Sequence, residues 1–221
     1  MIDYGFDDER RRAGYRIICG LDEAGRGPLA GPVVAGACIL PPDIRIDGLD
    51  DSKKLTERRR ERLYDEICAA ASAWGIGLAS PEEIDRINIL EASLLAMRRA
   101  LESCGATPDL LLVDGNQSRG FPVHAEAVVG GDGKSPSIAA ASVLAKVTRD
   151  RMMAEYDSEY PGYGLARHKG YPTREHKLAV YMNGPSPIHR RSFLSFLERD
   201  RAKLEAAAHV LHCGCDKSEE N

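Results

Sequence analysis

Along this chain the spacing of hydrophobic positions changes several times, and each change marks an element. Tyr15 to Leu21 is largely apolar and β-prone, and Pro32 to Leu40 (PVVAGACIL) is a second such run, so two strands joined by a glycine-rich connection are expected. Thr56 to Ser72 interleaves charges with Leu63 and Ile67 as a surface helix does, and Trp74 to Ala79 follows as a short strand. Ser80-Pro81-Glu82-Glu83 supplies a capping serine, a proline at the first helical position and a glutamate at the third. Behind it Ile87, Leu90, Leu94, Met97 and Leu101 step by threes and fours, which predicts one helix packed on the sheet.

Leu110 to Asp114 has the pattern of a buried strand stopped by Gly115-Asn116, and Ala125 to Val129 that of another stopped by Gly130-Gly131. Ser135-Pro136 opens a helix bearing Ile138, Val143, Leu144, Val147 and Met152, and Phe193, Leu197, Leu204, Ala208 and Leu211 predict a last helix over about 193–211. Strands alternating with helices argue an α/β fold. Neither an internal repeat nor a linker rich in Pro, Gly or Ser divides the chain. The expectation is an N-terminal arm over 1–14, one domain with a C-terminal helical annex over 15–211, and a disordered polar tail over 212–221.

A length of 221 residues, 43% hydrophobic and 29% charged, permits a sizeable core and excludes wholesale disorder. No apolar run reaches the roughly 18 residues of a membrane span, and the acidic start Met1 to Glu9 lacks the apolar core of a secretory signal. Six cysteines stand at irregular spacings, four of them (Cys19, Cys38, Cys68, Cys104) in apolar stretches, which suits a reducing, cytoplasmic setting. Net charge is −4, from 30 Lys and Arg against 34 Asp and Glu, yet its distribution matters more than its sum. From Pro161 to Phe193, Arg167, Lys169, Arg174, Lys177, Arg190 and Arg191 stand against the single acid Glu175, with His168, His176 and His189 among them. Such a segment suits a nucleic-acid backbone, or simply a solvated face.

Three expected strands end in carboxylates: Asp22-Glu23 after the first, Asp114 after the fourth and Asp132 just past the fifth. Strand C-termini are where open α/β sheets build sites. An oxygen-only donor set suits a hard cation such as Mg²⁺ or Mn²⁺, and a cluster of this kind supports two-metal displacement at phosphorus. Each acid by itself is the ordinary acid of a turn or cap; their repetition at strand ends argues for the cluster. Asp22 and Glu23, being adjacent on a strand, should face opposite ways unless the backbone turns or Glu23 reaches round.

Asp22-Glu23-Ala24-Gly25-Arg26-Gly27-Pro28-Leu29-Ala30-Gly31-Pro32 resembles the opening signature of bacterial ribonuclease HII, the type 2 ribonuclease H family. The resemblance continues through Asp51-Ser52-Lys53-Lys54-Leu55, Val113-Asp114-Gly115-Asn116, the stretch from Ala139 to Asp150, His168-Lys169-Gly170-Tyr171-Pro172-Thr173 and His189-Arg190-Arg191-Ser192-Phe193. It implies a ribonuclease H-like mixed β-sheet flanked by helices, with a C-terminal helical extension. It further implies a metal-dependent endonuclease that hydrolyses the RNA strand of RNA–DNA hybrids and cuts 5′ of ribonucleotides embedded in duplex DNA, leaving 3′-hydroxyl and 5′-phosphate ends. Asp22, Glu23, Asp114 and Asp132 match the family's catalytic, metal-binding acids, for two Mn²⁺ or Mg²⁺ ions. Gly25, Arg26 and Gly27 match its loop that senses the ribose 2′-hydroxyl, and Tyr171 the tyrosine that stacks on the sugar beside the scissile bond. Lys53, Lys146 and Lys169 match phosphate contacts. Gly130 stands where the family usually has a lysine. Primer removal and ribonucleotide excision are the implied duties, carried out by a monomer with a sliding-clamp contact and no membrane.

Gly133-Lys134-Ser135 mimics the end of a P-loop, but an NTPase of that kind needs glycine at position 128, where Val128 stands. A non-enzymatic nucleic-acid binding module would use the basic segment and leave the acids unexplained. His209, His212, Cys213 and Cys215 offer zinc-ligand types without a second ligand pair, and incidental thiols in a tail are the simpler reading.

Overall fold

The computed structural model describes residues 2–215, with side chains through Val210. The chain divides into two compact units, one of Met1–Arg26 with Pro32–Arg149, the other of Gly27–Gly31 with Asp150–Asn221.

The first unit is built on a five-stranded sheet. Its strands are β1 (Ile18–Ala24), β2 (Val33–Ile39), β3 (Ala73–Ala79), β4 (Leu110–Asp114) and β5 (Ala125–Val128), in the spatial order β3-β2-β1-β4-β5. β1 pairs antiparallel with β2, as β2 does with β3, whereas β1, β4 and β5 run parallel. The registers Leu21↔Val113 and Asp114↔Val128 therefore bring the C-terminal ends of β1, β4 and β5 to one end of the sheet. That end carries the acids.

β2 is buried along its whole length and β4 up to Val113, so both are continuous apolar runs rather than alternating ones. Before the sheet comes α1 (Gly5–Arg12); α2 (Glu57–Ala70), capped by the Thr56 hydroxyl, packs Leu63 and Ile67 with Cys38, Ala140, Val143 and Leu144. The last three lie on α5 (Pro136–Glu159).

Against β3 lies α4 (Ile89–Cys104), at a distance only glycine permits. A Cβ on Gly77 would lie 2.2 Å from the Ala96 carbonyl oxygen and 2.3 Å from the Ala100 nitrogen, both backbone atoms. Gly77→Val should accordingly push α4 off the sheet and cost about 1–3 kcal/mol or more. A thermal midpoint equal to the parent's would contradict that packing.

The helix expected from Ser80 onward is two helices, α3 (Pro81–Ile87) and α4. The capping box forms as expected, with Ser80 and Glu83 bonding each other's backbone. Asn88, at φ 69°, then ends α3, and its Oδ1 accepts from the amides of Leu90 and Glu91 to start α4. Asparagine tolerates positive φ and caps readily, while the apolar stripe runs across it without a break in period.

In the second unit, α7 (Arg174–Asn183), α8 (Phe196–Arg199) and α9 (Arg201–Cys215) gather around Leu29, Val180, Leu194, Phe196 and Leu204, while Leu165 of α6 (Leu165–His168) packs with Ala30, Met153 and Ile188. Residues Gly27–Gly31 are tied in by backbone bonds: Leu29 donates to Gly170 at 2.8 Å, Gly31 to Ile188 at 2.9 Å, and Arg190 to Leu29 at 2.9 Å. The final helix expected from about 193 begins instead at Arg201, because the chain departs from helical backbone at Asp200, at φ −103° and ψ 12°. Leu194 and Phe196, rather than Phe193 and Leu197, are the buried residues there. The tail beyond Cys215 and the side chains of His212, Cys213 and Cys215 lie outside the described residues. Among the described residues no helix is long and apolar enough to cross a membrane.

Candidate active site

Asp22, Asp114 and Asp132 each offer a carboxylate oxygen, and these oxygens all lie within 4.8 Å of one another. β1 does not turn at Asp22: pairing continues regularly through Asp22↔Gly36 and Glu23↔Ala35. Strand alternation therefore sends Glu23 to the other face, where it meets Arg26 at 3.2 Å and shares a cleft with Asp114, Ser93 and Met97. Asp114 thus adjoins both groups. The backbone N–H of Gly131 donates to Asp114 Oδ1 at 2.6 Å, fastening the short 3₁₀ turn that carries Asp132 to the end of β4. Gly130, at φ 63°, makes the left-handed bend into that turn, a conformation glycine adopts without the Cβ clash a lysine would meet.

The electrostatics of the cluster call for a cation. Burial pushes the Asp22 carboxyl well above the usual carboxylate range, and the charges of Glu23 and Asp114 push the same way; a hydrogen bond from Ser142 opposes them. Asp114 is raised first by burial and also by Asp132, against the Gly131 amide and Lys53. Burial raises Glu23 too, with Arg26 opposing. Lys53 Nζ reaches Asp132 Oδ2 at 3.0 Å; burial works against its charge, but that bond and the charges of Asp132, Asp22 and Asp51 hold its pKa above the ordinary lysine value. Three convergent carboxylate oxygens, those of Asp22 and Asp132 buried and that of Asp114 half-buried, fit a hard divalent cation, which would favour the ionised forms of Asp22 and Asp114.

The segment Asp51-Ser52-Lys53-Lys54 serves this cluster twice. Asp51 Oδ1 accepts from the Lys53 amide and shapes a 3₁₀ turn that presents Lys53. Ser52 Oγ lies 2.8 Å from Ser142 Oγ, which in turn bonds Asp22. Sequence reasoning missed Ser52, Ser142 and the Gly131 amide, since only the fold shows that their donors meet carboxylates.

Of the other expected residues, Gly25 adopts φ 101° and a Cβ there would lie 2.1 Å from Arg149 Nε, so the loop's first glycine is obligatory. Arg26 is half-exposed, and Lys146 is partly buried on α5. Gly27 and Tyr171 are neighbours within the second unit, a Cβ on Gly27 standing 3.6 Å from the Tyr171 ring. Tyr171 is 44% exposed, and Lys169, at φ 53°, makes the left-handed turn before Gly170. The basic segment is only partly a surface. Arg190 is fully buried and spends its guanidinium on the Gly31 carbonyl, at 2.9 and 2.8 Å. Arg167 pairs with Glu175, and Lys177 with Asp200 at 3.5 Å. In the would-be P-loop, Ser135 is buried with its hydroxyl donating to Asp7, and Lys134 Nζ donates to the Val129 carbonyl at 2.7 Å. No phosphate cradle forms there.

Beneath Tyr171 the three histidines form a neutral chain. His168 Nε2 donates to the Tyr163 carbonyl at 2.8 Å and its Nδ1 accepts from the Gly170 amide at 3.2 Å. His176 Nδ1 donates to the Tyr171 carbonyl at 3.0 Å, and its Nε2 accepts from His189 Nε2 at 3.1 Å. His189 Nδ1 accepts from the Ser186 amide and hydroxyl at 3.0 and 2.7 Å. Burial pushes His176 and His189 down to about 4, helped in His189 by the charge of His176. The unfolded chain, titrating near 6.5, takes protons first as pH falls, so the stability these imidazoles contribute is complete above about 6.5 and lost toward 4. Unfolding free energies from denaturant titrations between pH 7.5 and 4.5 should fall by on the order of a few kcal/mol in total, and less in a His176→Gln variant. An equal fall in both proteins would refute the assignment.

A mixed sheet whose parallel strands end in a buried carboxylate cluster, flanked by helices, has the architecture of the ribonuclease H endonucleases. It is shared by the ribonuclease H2 structure from Pyrococcus horikoshii OT3, with TM-score 0.68 and 29% identity over 86% of this chain and 99% of that one. It is shared too by a structure described as the PCNA:RNase HII complex from Archaeoglobus fulgidus, with TM-score 0.59 and 27% identity over 79% and 94% of the two chains. The family model Ribonuclease HII matches residues 19–196, and the Ribonuclease HII of Geobacter sulfurreducens is 56% identical over 190 residues, 86% of this chain and 88% of the relative. The chain belongs to the ribonuclease HII family and is a ribonuclease H endonuclease, a hydrolase acting on RNA–DNA hybrids.

Proposed function

We propose that Asp22, Glu23, Asp114 and Asp132 are the catalytic acids, and that they hold two Mn²⁺ or Mg²⁺ ions while the phosphodiester on the 5′ side of a ribonucleotide is hydrolysed to 3′-hydroxyl and 5′-phosphate ends. The observation that carries this reading is the convergence within 4.8 Å of three carboxylates, two buried (Asp22 and Asp132) and one half-buried (Asp114). Bound divalent cations supply a more acidic attacking water and stabilise charge on the leaving oxygen. The chain's own residues hold the geometry: the Gly131 amide fixes Asp114, and Ser142 fixes Asp22. Lys53 pairs with Asp132 and stands beside the cluster, where its ammonium would also contact a substrate phosphate. Backbone at Gly25-Arg26-Gly27 reads the 2′-hydroxyl, for which a side chain at Gly25 or Gly27 would be in the way. Tyr171 stacks on the sugar at the junction, with Lys146 and Lys169 on phosphates.

The substrates on this reading are long hybrids and duplex DNA with single embedded ribonucleotides, met in the cytoplasm during replication and ribonucleotide excision repair. The protein acts as a monomer, and the complex named for the Archaeoglobus relative supports a sliding-clamp contact. The test is a duplex with one ribonucleotide, its product ends mapped with Mn²⁺, with Mg²⁺ and with chelator. Ends other than 3′-hydroxyl and 5′-phosphate, or cleavage that survives the chelator, would reject the mechanism.

A further inference from the structure

The N-terminal helix lies outside the span that the family model matches, which begins at residue 19. It nevertheless carries a fully buried acid, Asp7. Asp7 Oδ1 accepts from the Ser135 hydroxyl at 2.6 Å, and Oδ2 accepts from the Ser137 hydroxyl at 2.6 Å and the Ser137 amide at 3.2 Å. These donors form the first turn of α5, where Ser135 Oγ also accepts from the Ile138 amide at 3.2 Å. A carboxylate there is favoured by the helix dipole and by amides with no intrahelical acceptor.

The backbone of Ser135 also holds the turn that carries Asp132. The Ser135 amide donates to the Gly131 carbonyl at 2.8 Å and the Lys134 amide to the same oxygen at 2.9 Å, while the Gly131 amide is the donor to Asp114. The turn is therefore pinned on one side by Asp114 and on the other by Ser135, whose hydroxyl Asp7 orients. The first turn of α5 also rests directly on β1. A Cβ on Gly20, two residues before Asp22 on the same face, would lie 2.1 Å from the Ser137 carbonyl carbon. Asp7, Ser137 and Gly20 thus set the height of α5 over the strand that bears Asp22.

We infer that Asp7 is a positioning residue for the carboxylate cluster: by fixing Ser135 and Ser137 it sets where Asp132 stands relative to Asp22 and Asp114. This rests on the reading of those acids as cation ligands. α1 has other anchors, Arg10 with Glu126 at 3.1 Å and the Tyr4 hydroxyl accepting from the Ile46 amide at 2.9 Å, so loss of the Asp7 carboxylate leaves the helix docked.

The experiment compares the full chain with Asp7→Ala and Asp7→Asn, measuring Mn²⁺ affinity by titration calorimetry, kcat and KM on a single-ribonucleotide duplex, and the thermal midpoint. Asp7→Ala should lose about 10–100-fold in Mn²⁺ affinity, with kcat falling and KM for the duplex unchanged. Asp7→Asn, which keeps one acceptor, should recover part of the affinity. A lowered midpoint with wild-type Mn²⁺ affinity and kcat would overturn the inference, leaving Asp7 a helix cap and nothing more. Should Asp7→Ala not fold, the double variant Ser135→Ala/Ser137→Ala removes both hydroxyl bonds to Asp7 and leaves the Ser137 amide bond in place, and unchanged Mn²⁺ affinity there would overturn it equally. Asp132→Asn is run alongside. If it binds Mn²⁺ and cleaves normally, the reading of the acids fails; if it is inactive while Asp7→Ala is normal, only the positioning role fails.

Discussion

Asp114→Asn is expected to abolish cleavage while the fold survives. Asparagine keeps an Oδ1 to accept the Gly131 amide, so the local geometry has no reason to change. What disappears is the charge of the acid that adjoins both Asp22 with Asp132 and Glu23. Removing one preorganised charged group from such a site costs on the order of 10²–10³-fold in rate, and more where it also holds a cation. A second readout separates chemistry from folding. Burial and the charge of Asp132 push the Asp114 carboxyl above its ordinary range, so its ionised form is disfavoured in the metal-free protein. The variant's metal-free thermal midpoint should therefore equal or exceed the parent's, while the rise produced by added Mn²⁺ should shrink, because a cation stabilises only in proportion to its binding. A folded Asp114→Asn protein that cuts at near-normal rate in ordinary Mg²⁺ would remove Asp114 from the site.

Tyr171→Ala is expected to lose cleavage at RNA–DNA junctions without losing stability. The ring is 44% exposed, and the loop's shape comes from its backbone: the Tyr171 amide donates to the His168 carbonyl at 2.9 Å and its own carbonyl accepts from His176 Nδ1. Alanine keeps both bonds. A stacking platform contributes about 1–3 kcal/mol, which is roughly 5-fold to 150-fold in junction cleavage, whereas truncating a buried aromatic costs about 3–5 kcal/mol of folding free energy. A sharp drop in thermal midpoint together with normal junction cleavage would make Tyr171 a packing residue. The exposure already argues against that outcome.

Where the sequence spoke clearly, it did so through local signals. The capping box at Ser80 and Glu83, the Ser135-Pro136 helix start and the Gly115 stop after Asp114 each act over a few residues, and each is found in place. Breaks inside periodic runs were not legible. Asn88 and Asp200 interrupt stripes whose spacing is unaffected, because a cap is a backbone event and the period records only side-chain burial. The basic segment was legible as composition but not as surface: Arg190 and the histidines are interior groups, satisfied by backbone carbonyls and by one another.

The sequence by itself determined the family and the α/β alternation and singled out four acids at strand ends, because motif spacing and strand-end chemistry are written in one dimension. Only the tertiary structure decided how those acids are grouped. Parallel pairing of β1, β4 and β5 gathers Asp22, Asp114 and Asp132 at one sheet end, and the unbroken pleat of β1 turns Glu23 to the other face. Lys53 to Asp132 and Asp7 to Ser135 likewise join positions 79 and 128 residues apart. Hydrogen bonds and like-charge repulsion act over a few ångströms, so partners at such separations meet only once the chain has folded.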